Sequence, residues 1–189
     1  GWGAAGIGGE SGKGTSKLEI ANGTIDAEGG SLGAGIGGSS GGNGEVTISG
    51  GKVTAQGGYA AAGIGGGPGG LGKVTIKNGK VTAKTKGPAA AIGGGNGPDG
   101  AGDVTILDGT VTAIPAEDSD DPVTGIGSGH LSKKKSTIRI LGGVVDAVGG
   151  RYGSGIGGGS GDTQVAEVEI GGGAQVTAKG GNGWEPAYS

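Results

Sequence analysis

The sequence predicts an all-β fold, a repeat β-solenoid, and three observations carry that expectation. Glycine supplies 56 of 189 residues, against about 7% in an average chain. A Gly-Ile-Gly-rich motif recurs at Ile7, Ile36, Ile64, Ile92, Ile126 and Ile156, with intervals of 29, 28, 28, 34 and 30 residues. Each motif is followed by two short stretches in which apolar and polar residues alternate, the period of a strand with one buried face. A fixed period of this length is the mark of a stacked repeat architecture.

The first alternating stretch is Leu18-Glu19-Ile20, then Val46-Thr47-Ile48, Val74-Thr75-Ile76, Val104-Thr105-Ile106, Ile138-Arg139-Ile140 and Val168-Glu169-Ile170. The second is Ile25-Asp26-Ala27, Val53-Thr54-Ala55, Val81-Thr82-Ala83, Val111-Thr112-Ala113, Val145-Asp146-Ala147 and Val176-Thr177-Ala178. The outer members of each triplet hardly vary and point inward; the middle residue varies and points to solvent. Between the two stretches stand Asn22-Gly23, Gly50-Gly51, Asn78-Gly79, Asp108-Gly109 and Gly142-Gly143, pairs that tolerate the positive φ of a sharp corner. The last unit carries an extra residue there, in Gly171-Gly172-Gly173-Ala174.

Each unit of about 28–34 residues therefore reads as glycine segment, strand, corner, strand, loop. One unit cannot bury its own inner face, and stacking buries a continuous row of Val, Ile and Ala. The preferred form is a right-handed, three-sided β-helix in which the Gly-Ile-Gly segment makes the third side. Asn-Gly or Gly-Gly between alternating strands is also a hairpin signal, so stacked β-hairpins with glycine-rich, polyproline-II-like segments remain the alternative. The expected organisation is one repeat domain over 1–189, with units starting near the six motif isoleucines and 182–189 as a C-terminal cap.

The repeat units Gly-Ala-Gly-Ile-Gly-Gly at 33–38 and Val-Thr-Ile-Ser-Gly-Gly-Lys-Val-Thr-Ala at 46–55 resemble glycine-rich repeats of large surface and secreted proteins of anaerobic, gut-type bacteria. The resemblance covers nearly the whole chain. It implies a β-helical module of the kind associated with polysaccharide binding, although fold alone does not assign function.

Composition narrows the function further. Net charge is −3 and no long basic tract exists, so the footprint that nucleic acid requires is missing. No apolar run reaches the ~20 residues of a membrane-spanning helix. The chain opens on glycine without methionine, which reads as a processed product or an excised segment. There is no cysteine for nucleophilic or zinc chemistry, and the one histidine, His130, lies in a loop beside Lys133, Lys134 and Lys135. Accidental Gly-x-Gly-x-x-Gly matches precede no helix and reflect repeat glycine. The expected protein is not an enzyme and needs no cofactor.

Three features point to binding. Trp2, Tyr59, Tyr152 and Trp184 fall three to five residues before a motif isoleucine position. Their rings either cap the open ends and wedge a corner, the simpler reading, or stack on sugars. Glu117, Asp118, Asp120 and Asp121 sit in the long fourth-to-fifth connection and offer oxygen ligands suited to calcium; a solvated loop facing Lys133–Lys135 is the plainer expectation. Thr47, Thr75 and Thr105, and Thr54, Thr82 and Thr112, form short threonine ladders of the kind ice-binding solenoids use, interrupted here by charges. The expectation is an extracellular or cell-surface structural or adhesive module with a glycan or cell-surface polymer as partner. A fibre or spacer unit stacking through its ends is the alternative, and ice binding a weaker one.

Overall fold

The computed structural model describes residues 2–12, 14–117, 119–163 and 165–183. Every regular element among them is a β-strand. The first coil holds β1 (Ile7–Gly8), β2 (Thr15–Ile20) and β3 (Thr24–Glu28), and the second holds β4 (Ile36–Gly37), β5 (Asn43–Ile48) and β6 (Lys52–Gly57). The third has β7 (Ile64–Gly65), β8 (Gly72–Ile76) and β9 (Lys80–Thr85), and the fourth β10 (Ala90–Gly93), β11 (Gly102–Ile106) and β12 (Thr110–Pro115). In the fifth are β13 (Thr124–Gly127), β14 (Thr137–Ile140) and β15 (Val144–Val148), and in the sixth β16 (Ile156–Gly157), β17 (Glu167–Ile170) and β18 (Gln175–Lys179).

Strands pair only with their counterparts in neighbouring coils. The result is three six-stranded parallel sheets, in the orders β1-β4-β7-β10-β13-β16, β2-β5-β8-β11-β14-β17 and β3-β6-β9-β12-β15-β18. These are called the first, second and third sheets. The fold is thus a β-solenoid of about six coils. The stacked-hairpin alternative is wrong: β5 and β6 flank a Gly-Gly corner, yet β5 bonds to β2 and β8 while β6 bonds to β3 and β9. The glycine segments form the first sheet rather than polyproline-II spacers.

The corner between the second and third sheets explains why the turn signal made no hairpin. Gly51, Gly79 and Gly109 take φ of +88°, +114° and +104°, turning the chain within its own coil. Their carbonyls then accept from the next coil: Lys80 N donates to Gly51 O, Thr110 N to Gly79 O and Val144 N to Gly109 O, each at 2.8 Å. Where Asn or Asp opens the corner, the side chain accepts the following amide, as at Asn78 Oδ1 with Gly79 N at 2.6 Å.

The predicted faces hold in the four interior coils. Ile36, Ile64, Ile92 and Ile126 enter from the first sheet; Val46, Val74, Val104 and Ile138, with Ile48, Ile76, Ile106 and Ile140, enter from the second. Val53, Val81, Val111 and Val145 and the alanines Ala55, Ala83, Ala113 and Ala147 complete the core from the third. Like sits on like, so Ile48, Ile76 and Ile106 form one column. Burying each such side chain contributes roughly 1.5–3 kcal/mol. The sixth coil has no such cover over its described residues: Val168 is 43% and Ile170 53% exposed.

On the outer face of the second sheet the same stacking builds an alternating charge ladder. Lys17, Glu45 and Lys73 are successive rungs, with Lys17 Nζ 3.6 Å and Lys73 Nζ 3.3 Å from the Glu45 carboxylate. The hydrogen bond from Lys73, and then the charges of Lys17 and Lys73, hold the Glu45 carboxyl below its ordinary 4.5.

Two predictions follow from register and charge. Ile76→Asp places a lone carboxylate between Ile48 and Ile106 and should lower the thermal midpoint severely, since an unpaired buried charge costs several kcal/mol. Thr75→Asp, one residue away on the outer face, should melt close to wild type; equal losses would refute the register. The depressed Glu45 carboxyl contributes stability that is complete above its ordinary 4.5 and is lost as pH falls below it. Melts of wild type should therefore lose a small increment on acidification that Glu45→Gln does not show, and added salt should shrink the difference.

Candidate functional site

The corner between the third and first sheets carries the exposed aromatics. Trp2 leads into the first coil, Tyr59 into the third and Tyr152 into the sixth. At about 4.8 Å per coil the side chains are spaced by about 10 and 14 Å along the axis. Tyr59 is 54% and Tyr152 52% exposed. The ring of Tyr59 lies on the next coil at Gly87, where a Cβ would come within 2.8 Å of Cδ2. The Tyr152 ring approaches Gly183 in the same sense, with the Arg151 guanidinium 5.2 Å from its centroid. Glycine at the next rung leaves room for each ring along the corner.

The aromatics share a corner but not one register. Trp2 and Tyr59 stand five residues before their motif isoleucine and Tyr152 stands four before. Tyr152 takes φ of +57°, the conformation that Ala60, next to Tyr59, takes at +67°. Trp2 is 87% exposed, so it does not cap the core as the simpler reading held. Trp184 lies outside the described residues.

Two shallow depressions follow the same corner. One, of about 370 Å³, is lined by Gln56, Lys84, Lys86, Glu117 and Ser119. The other, of about 320 Å³, is lined by Ser119, Asp120, Arg151, Asn182 and glycines. Polar groups of the first are held by neighbours one or more coils away. Lys86 Nζ donates to Glu28 Oε1 at 2.6 Å and Gln56 Nε2 to the same oxygen at 3.4 Å. The bond from Lys86 keeps the Glu28 carboxyl below its usual range. Lys84 reaches Glu117 at 3.5 Å.

That last pair places one end of the acidic loop. Glu117 turns to Lys84, and Asp120 lines the second depression. The main-chain carbonyl of Asp121 accepts from Val123 N at 2.8 Å and closes the turn before Val123 without engaging the carboxylate. Asp118 lies outside the described residues, and among those described no three carboxylate or imidazole groups gather as metal ligands. The loop does not face Lys133–Lys135 either: Lys134 pairs with Asp99 at 3.8 Å and Lys135 with Glu167 at 2.7 Å.

Those lysines belong to a feature that sequence reasoning missed. Along the corner between the first and second sheets runs a groove of about 930 Å³, whose lining includes Thr15, Asn43, Leu71, Asp99, Lys134 and Lys135. The only signals for it were the lysine triplet and the polar Thr15 and Asn43 at equivalent points of successive units.

Nearby, Ser128, His130 and Asp162 share one loop cluster without forming a nucleophilic relay. The Ser128 hydroxyl donates directly to Asp162 Oδ2. Asp162 also accepts from Ser132 N at 2.8 Å and Gly159 N at 2.7 Å. His130 Nδ1 is buried with no hydrogen-bond partner. A serine held as donor to a carboxylate already occupied by two amides is a loop fastening, not an activated nucleophile. The threonine ladders do form, Thr47–Thr75–Thr105 and Thr54–Thr82–Thr112, but on two different sheets.

No curated protein and no solved structure matches this chain. A family model described as Beta helix repeat matches residues 18–42, 46–68, 74–96 and 138–160. Each matched stretch opens on a second-sheet strand, crosses the third sheet and reaches the Ile-Gly strand of the next coil. The repeat unit of this solenoid is thus similar to that family's repeat, in sequence as in its path from sheet to sheet.

Proposed function

We propose that the protein is a non-catalytic, extracellular adhesive rod that binds an extended glycan or cell-surface polymer along the corner between the third and first sheets. The observation that carries this reading is the pair of half-exposed tyrosines on one corner with polar depressions along it. A sugar ring offers an apolar face for stacking and hydroxyls for hydrogen bonds. The corner supplies both, with Tyr59 and Tyr152 as platforms and Gln56, Lys86, Ser119, Asp120, Arg151 and Asn182 as partners. A linear polymer suits a row of contacts that runs along the axis. The resemblance to gut-type bacterial surface repeats agrees with this role, and no constellation among the described residues supplies an activated nucleophile or a gathered metal site.

A second reading, the assembly unit, is favoured by the exposed Val168 and Ile170 of the sixth coil. These are core positions with no coil over them among the described residues, and another β-coil is the surface that fits them.

Glycan-array binding followed by Tyr59→Ala with Tyr152→Ala tests the first reading. The double variant should lose most of the affinity at unchanged melting temperature, each ring contact being worth on the order of 1 kcal/mol; unaltered binding would place the site elsewhere. For the second, light scattering should rise with protein concentration and fall back in Ile170→Asp; a concentration-independent monomer would refute assembly.

A further inference from the structure

We propose that the groove between the first and second sheets is a second binding site, built for a linear acidic polysaccharide whose carboxylates meet Lys134 and Lys135. It lies on a different corner from the tyrosines and does not depend on them.

The shape argues for an extended ligand. With about 930 Å³ it is far roomier than the depressions of about 370 and 320 Å³. Its lining comes from five successive coils, beginning at Thr15 in the first and ending at Lys135 in the fifth. Four coil spacings of about 4.8 Å make it about 19 Å long. The lining argues against a peptide. An extended peptide is captured by a free row of backbone donors and acceptors, and here that row is already used between coils. Gly41 N donates to Pro68 O at 3.0 Å, Gly69 N to Asn96 O at 2.6 Å, Gly72 N to Ala101 O at 3.0 Å and Gly97 N to His130 O at 2.9 Å. Asn43 is partly used, its Oδ1 accepting from Leu71 N at 2.8 Å and its Nδ2 donating to Thr15 Oγ1 at 3.4 Å. What remains for a ligand is the Thr15 hydroxyl hydrogen, the second Nδ2 hydrogen of Asn43 and a small apolar surface at Pro68 and Leu71. That mixture suits a sugar chain.

Charge sets the class. The lining holds two lysines against one acid, Asp99, in a chain of net charge −3. Lys133, beside them and exposed, has no acid within ion-pair distance among the described residues. Lys134 and Lys135 do have acidic neighbours, Asp99 and Glu167, but all four side chains are more than half exposed. Pairs of that kind are weak, and a ligand carboxylate exchanges for them at little cost.

The lysine loop is also fixed before any ligand arrives. Asp162 clasps it through Ser128 Oγ and Ser132 N. Lys133 N donates to Pro98 O at 2.8 Å, and buried Ser136 accepts from Gly102 N at 2.9 Å. Little ordering is then left to oppose binding.

Calorimetric titration of the 189-residue chain with oligogalacturonate, and with a neutral linear glucan of equal length, tests the proposal. The acidic oligomer should bind, more weakly as salt is added, and the glucan should not bind through the groove. Lys134→Gln with Lys135→Gln should cost about tenfold or more in affinity, and Lys134→Arg with Lys135→Arg should retain most of it. Thr15→Trp alters no charge but obstructs the far end, and should weaken binding too. Tyr59→Ala with Tyr152→Ala should leave it unchanged, separating this site from the tyrosine corner. Absence of oligogalacturonate binding, indifference to the lysine double substitution, or equal affinity for the glucan would overturn the acidic class. Full affinity in Thr15→Trp would reduce the effect to diffuse attraction and overturn the groove.

Discussion

The structure depends on one close approach, that of each motif glycine to the carbonyl of its counterpart in the next coil. A Cβ built on Gly37 would lie 2.1 Å from Gly65 O; one on Gly65 or Gly93 would lie 2.0 Å from the oxygen above it. These residues take φ of +134° to +136°, a conformation closed to other L-residues at acceptable cost. With no side chain between them, two-residue strands suffice for a whole wall of the solenoid. The preceding isoleucine can then point inward and close the core against the valines and the small alanines of the other two walls.

From that narrow core follows the economy of the composition. An interior coil needs one isoleucine from the first sheet, a β-branched pair from the second, and valine with alanine from the third. A larger ring has no place inside, and the tyrosines sit outside at a corner instead. Because like residues stack at every rung, polar positions also fall into columns, and the identity of each column decides what the surface does. Lys17–Glu45–Lys73 shares one carboxylate between two lysines and keeps one net positive charge. Threonine columns stay neutral but occur on separate walls, so neither wall is a broad uniform plane.

Much of this was legible in the sequence because the repeat is nearly invariant where the core is built. Triplets such as Val74-Thr75-Ile76 gave register and faces directly. The Asn-Gly and Gly-Gly corners were ambiguous for a physical reason: positive φ permits a turn but does not say whether the flanking strands bond to each other or to the coils on either side. The binding surfaces were only partly visible. Tyr152 sits one residue later in its corner than Tyr59, a difference that depends on which corner residue adopts the left-handed conformation. Lys134 and Lys135 were expected to face the acidic loop of their own unit, but interactions in a solenoid run along the axis, and they pair with Asp99 one coil earlier and Glu167 one coil later. Beyond the lysine triplet and the repeated polar Thr15 and Asn43, nothing in the sequence marks the groove, along whose corner five connections of unequal length pass.

Coils two and three are related by a shift of 28 residues in all three sheets. A stretch such as 36–63 is therefore a whole translational step, entering and leaving at equivalent points. Evolution can lengthen or shorten the rod by duplicating or deleting that step without creating a new kind of junction, each event moving the two ends by about 4.8 Å. Reach would then be a quantised trait, set by copy number, while the corner chemistry of every retained coil is inherited intact.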